Sequence, residues 1–173
     1  HLEGFIYPML KLRTPREALD YPLADIEADY RYEQVDRQIR EIQSRGLCAT
    51  AWMACTIFEI AWYMRSMELL LMDFVDNQDF AVALLDRITA KREAQARRYA
   101  ELGADVVCLG DDVASQRGML MSAAMWRRWL KPRLARVVAA AKAARPDVLV
   151  LYHSDGDVTS IIPDLIEIGI DIL

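Results

Sequence analysis

The sequence predicts an α/β chain, and three observations predict it. Compact apolar runs at residues 47–53, 104–109 and 148–152 have strand length, and a fourth opens at Ile170. Between them lie longer stretches in which apolar residues recur every three or four positions, the period of a helix with one buried face. Glycine or proline stands at the joints, at Gly46, Gly103 and Pro146. Strands alternating with amphipathic helices pair in parallel through crossover connections. Two architectures satisfy that order, a doubly wound open sheet and a (β/α)8 barrel. No GxGxxG or GxxxxGK[ST] follows any strand, which removes support for the usual nucleotide-binding sheets.

Residues 1–30 carry Pro8, Pro15 and Pro22 among polar and aromatic residues and read as an irregular arm, and residues 31–173 read as βα units. From Tyr32 a helix is expected, with Val35, Ile39 and Ile42 on one face and Gly46 at its end. After the first strand comes a long helical region. Asp76-Asn77 offers a cap, Phe80, Leu84, Leu85 and Ile88 form the buried face, and Lys91, Arg92, Arg97 and Arg98 form a solvated one. Ser122 caps the next helix, where Trp126, Trp129, Leu134 and Val138 make an apolar stripe and Pro132 kinks or splits it. Residues 161–168 make a last short helix.

The 173 residues are 54% hydrophobic and 27% charged, enough apolar content to build a core. The net charge of −5 argues against nucleic acid and against an anionic membrane surface. The longest apolar run, residues 51–64, is interrupted by Glu59 and is too short for a bilayer span. Three scattered cysteines, Cys48, Cys55 and Cys108, fit reduced core thiols in a cytoplasmic protein. The chain opens HLEGF without an initiator methionine and stops within an apolar run, so it reads as an internal piece of a longer protein. An edge left open that way is expected to pair with another copy or with a complementary fragment.

Functional groups of parallel α/β folds gather after the carboxyl ends of the strands. The second strand runs into Asp111, Asp112 and Gln116, and the third into His153 and Asp155. His153 and Asp155 are two apart, so in an extended chain they face the same way, as a metal pair or as a base with its orienting carboxylate. Asp111 and Asp112 are adjacent and point apart; one faces a pocket while the other accepts loop N–H groups. Gln116 suits a polar substrate. Glu59 is a carboxylate in an apolar run, costly unless it is paired or faces a cavity. The aromatics around it, Trp52, Phe58, Trp62 and Tyr63, read as core.

The runs IFEIAWYMRSMELLLMDF, GADVVCLGDDVASQRGMLMS, WRRWLKPRLARVV and YHSDGDVTSIIPDLIEIGIDIL together resemble the uroporphyrinogen decarboxylase superfamily, and most closely its methyltransferase-like branch. The resemblance implies a (β/α)8 barrel, present here as about four strand–helix units. It also implies a corrinoid-dependent methyltransferase or O-demethylase acting on a small methylated or methoxylated compound, with the corrinoid on a partner protein. In that reading Asp112, His153 and Asp155 are catalytic, Asp111, Gln116 and Glu59 bind substrate, and His153 with Asp155 holds zinc. Zinc-using members carry cysteine where Asp155 stands. The other branch implies a cofactor-free porphyrinogen decarboxylase, and a third reading is a non-catalytic barrel fragment that serves as a binding module.

Overall fold

A computed structural model of the chain describes Gly4 and residues 6–173. The first helix, α1 (Pro15–Asp20), lies within the stretch expected to be irregular. Thr14 accepts the Glu17 N–H while the Glu17 carboxylate takes the Thr14 N–H, with proline at the start, so a reciprocal cap sustains even six residues. Next come α2 (Glu33–Ser44) and β1 (Thr50–Ala54). The single helical region expected after β1 is three helices, α3 (Phe58–Arg65), α4 (Met67–Asp76) and α5 (Gln78–Glu101). Ser66 breaks the first two by adopting φ 76° while its hydroxyl caps Leu69 N–H. Asn77 does sit at the N-cap of α5, but its side chain donates to Arg13 O instead.

After α5 come β2 (Val106–Gly110), a small hairpin of β3 (Ala114–Ser115) and β4 (Gly118–Met119), and α6 (Ala123–Trp129) capped by Ser122. Pro132 splits the helix as expected. It stands in the first turn of α7 (Lys131–Ala144), where its missing N–H leaves no helical bond unmade. The described chain ends with β5 (Leu149–His153), α8 (Ile162–Glu167) and a parallel bridge from Leu151 to Ile172 that begins the fourth strand position.

The main sheet is parallel in the order β1-β2-β5, and Ile172 joins beyond β5. Each crossover therefore advances one place in the same direction, without the reversal that defines a doubly wound sheet. Alternation divides the two faces. Met53, Val107, Leu109, Val150 and Tyr152 are buried beneath the helices, where α7 packs along α5 and α1 lies across α5. The opposite face carries Trp52, 58% exposed, and Leu149, 44% exposed, so Trp52 is not core, and Tyr63 is also partly exposed.

A buried ion pair ties the N-terminal arm to this body. Arg65, 2% exposed, donates to both carboxylate oxygens of Asp73 and to the carbonyls of Met9 and Leu12, and stacks 4.3 Å above the Phe80 ring. Cys108 is buried, but Cys48 is exposed and Cys55 intermediate; all three are free thiols. Among the described residues no helix is long and apolar enough to cross a membrane.

Candidate functional site

The register aligns Ala54, Gly110 and His153 in one row at the carboxyl ends of the three strands. A Cβ on Gly110 would stand 3.0 Å from His153 O and 3.2 Å from His153 Cβ, so the bare backbone lets β5 close on β2 here. The gap also opens a diagonal across the sheet, and the Trp52 and His153 rings lie 6.3 Å apart. Thr56 clips the first tail to the second, its N–H donating to Gly110 O at 2.7 Å and its hydroxyl accepting Gly110 N–H at 2.8 Å.

The two adjacent aspartates diverge. Asp111, 4% exposed, turns inward and accepts the N–H groups of Ile57 (2.9 Å) and Glu59 (3.0 Å) at the start of α3. Burial pushes its carboxyl up to about 7, against the pull of those donors. The carboxylate expected to bind substrate thus serves backbone donors, fixing the loop before α3 to the tail of β2. Asp112 turns outward. Its Oδ1 accepts the Asp155 N–H at 2.7 Å and lies 3.9 Å from His153 Nε2, which is 3.6 Å from Asp155 Oδ1. One ligand atom from each of Asp112, His153 and Asp155 falls within 4.8 Å of the others. All three side chains are partly or largely exposed.

Around this triad the loops are stitched together. Glu59, in the first turn of α3, accepts the Asp112 N–H at 3.2 Å and the Tyr63 hydroxyl at 3.4 Å. Burial, with the Glu59 and Asp111 charges, pushes the Cys55 thiol up to about 11, which keeps it protonated. Ser154 Oγ accepts Val113 N–H at 3.2 Å, and Ser115 O accepts Asp157 N–H at 2.9 Å. Gln116 sits at the β3–β4 turn, outside the triad.

The solvated face expected on α5 also differs. Arg92 reaches inward, donating to Thr56 O at 3.2 Å and Cys55 O at 2.9 Å, and so braces the tail of β1. Sequence reasoning passes over Arg92 as a site residue, and over Thr56, Ser154 and Trp52. Strand alternation is the signal for Trp52, two residues before Ala54 on the same face. The others act through loop carbonyls and N–H groups, which leave no periodic trace.

The arrangement can bind a cation or a polar group, and can move a proton at an exposed carboxylate or imidazole. Comparison with known proteins adds to this geometry. The family model described as uroporphyrinogen decarboxylase matches residues 11–173. A methyltransferase from Methanosarcina mazei is similar in structure, with a TM-score of 0.66 and 25% sequence identity over 79% of this chain and 38% of that one. The chain thus spans well under half the length of that relative. A search of curated proteins found no match.

Proposed function

The chain belongs to the uroporphyrinogen decarboxylase family, and from that premise we propose that it forms part of a (β/α)8 barrel enzyme that moves a methyl group from a small methylated or methoxylated compound to a corrinoid on a partner protein. The convergence of Asp112, His153 and Asp155 at the strand tails carries this reading. The one-directional strand order and the likeness to a methyltransferase support it.

The donor set fits a divalent cation. Ligands about 2.1 Å from a metal stand roughly 3–3.5 Å apart, near the 3.6 and 3.9 Å separations here. One imidazole and two carboxylates, with no thiolate, suit zinc, cobalt or manganese. When bound, such a cation supplies a Lewis acid at the oxygen or sulfur that loses the methyl group. His153, Asp112 and Asp155 would hold the cation through their deprotonated donor atoms, and solvent would supply the proton that the departing oxygen or sulfur takes up. Glu59 and Ser154 hold the two loops in register while this happens.

Anaerobic incubation with cob(I)alamin, Co²⁺ and a panel of O- and S-methylated donors tests the reading. Methylcobalamin should form with at least one donor, and formation should collapse in His153→Ala. No transfer with any donor, while Co²⁺ is bound, overturns it. The description of the matching family favours a second reading, porphyrinogen decarboxylation, in which the aspartates hold pyrrole N–H groups. Release of CO2 from uroporphyrinogen, with less carboxylated products on chromatography, would select it.

A further inference from the structure

Beside the tail of β1, the arm and two helices line an open cleft of about 260 Å³. Leu23 and Ile26 of the arm, Ile60 of α3 and Ile88 of α5 supply an aliphatic lining, and Lys91 and Arg92 supply its charges among the described residues. Among the described residues no carboxylate lines it, although the chain as a whole is acidic. Lys91 has no hydrogen-bond or ion-pair partner among the described residues, unlike Lys131 and Lys142, which are both paired. Arg92 donates to Thr56 O, Cys55 O and Gln95 Oε1. A guanidinium has five N–H donors, so two remain for a guest.

An apolar space with the unpaired Lys91 and the Arg92 guanidinium at one side, and no carboxylate in its lining among the described residues, is complementary to an amphiphile with a negative head. We propose that this cleft binds a small aliphatic monocarboxylate, its chain among Ile60, Ile88, Leu23 and Ile26 and its carboxylate on Lys91 and the spare Arg92 donors. Since a liquid water takes about 30 Å³, the space accommodates roughly eight to ten non-hydrogen atoms, the size of a six- to eight-carbon acid. The site is separate from the Asp112–His153–Asp155 triad and does not depend on what that triad does. Arg92 links the two, because the same guanidinium holds the carbonyls of Cys55 and Thr56 at the tail of β1. A carboxylate on Arg92 would therefore reach the loop that Asp111 and Glu59 share.

The test uses the whole chain, with sodium hexanoate as probe and hexylammonium and 1-hexanol as its cationic and neutral counterparts. Binding is followed by amide chemical shifts and calorimetry. Hexanoate should bind at least about tenfold more tightly than hexylammonium and should shift the amides of Ile60, Ile88 and Lys91. Lys91→Met should weaken hexanoate about fivefold or more while leaving 1-hexanol unchanged, with an unaltered circular dichroism spectrum. Equal binding of hexanoate and hexylammonium, no binding of hexanoate, or shifts confined to other surfaces would overturn the assignment.

Discussion

The Asp112 carboxylate accepts the backbone N–H of Asp155 at 2.7 Å, so the tail of β2 sets the shape of the loop that leaves β5. One oxygen thereby has two tasks, holding a neighbouring loop and facing His153 at 3.9 Å. The two tasks separate by substitution. Asp112→Asn keeps an acceptor for Asp155 N–H but removes the charge, whereas Asp112→Ala removes both. Co²⁺ affinity, read from visible absorption, should fall at least about tenfold in either variant. The Asp155 amide should shift only in the alanine form. Undiminished Co²⁺ binding in Asp112→Ala would remove Asp112 from the ligand set.

The arm is held by a charge that has no water around it. Replacing Arg65 with Met leaves the Asp73 carboxylate buried without its partner, a loss of about 3–5 kcal/mol for pairs of this kind. Urea unfolding should show that loss, and Arg65→Met with Asp73→Leu together should recover much of it, because the second change removes the stranded charge. A double variant as weak as the single one would place the stabilisation in the Met9 and Leu12 carbonyl bonds instead.

Strand positions are legible in the sequence because buried strands write compact apolar runs: β2 is buried at all five positions, and in β1 and β5 Met53, Val150 and Tyr152 are buried. The carboxyl-end rule then places His153, Asp155 and Asp112 together, and adjacency alone separates Asp112 from Asp111. What stays hidden is decided by single hydrogen bonds. Ser66 breaks a helix that propensity would continue, since its hydroxyl caps the next one. Arg92 looks solvated because its helical neighbours are, yet loop carbonyls arriving from β1 claim it. The Thr14–Glu17 cap is written in the sequence, but within a proline-rich stretch it reads as a turn.

Asp164 gives the chain a pH dependence of known sign. Hydrogen bonds from Arg127 and then Lys131 hold its carboxyl down to about 2, from 3.8. A carboxyl lowered in the folded state stabilises it fully above the unfolded value and loses that contribution as pH falls toward the folded one. Thermal unfolding of the parent and of Asp164→Asn should therefore differ at pH 6. The gap should narrow between about pH 4 and pH 2. A gap independent of pH would mean that packing, not charge, separates the two.

The open sheet face predicts association. Trp52, Leu149 and Ile172 are each more than a third exposed on or beside the uncovered side, and β1 leaves one edge unpaired among the described strands. Sedimentation velocity should show the chain self-associating as concentration rises, and Trp52→Lys should move it toward monomer. A stable monomer at high concentration would contradict this.

Gly156 joins backbone strain to the site. It has φ +88°, and a Cβ there would stand 2.7 Å from backbone atoms of Ala114 and Ser115, which cannot rotate aside as a side chain would. Gly156→Ala should therefore push the β3–β4 hairpin from the loop that carries His153 and Asp155, costing about 1–3 kcal/mol and weakening Co²⁺ binding together. Gly103→Ala is the matched comparison. Gly103 has φ +90°, but a Cβ there would meet nothing within 4 Å, and it lies at the opposite end of β2. That variant should lose stability through backbone strain alone and keep its Co²⁺ affinity. If both variants lose stability equally and both keep Co²⁺, the hairpin does not hold the His153 loop in place, and the hydrogen bond from Asp157 to Ser115 is a consequence of the fold with no part in positioning the site.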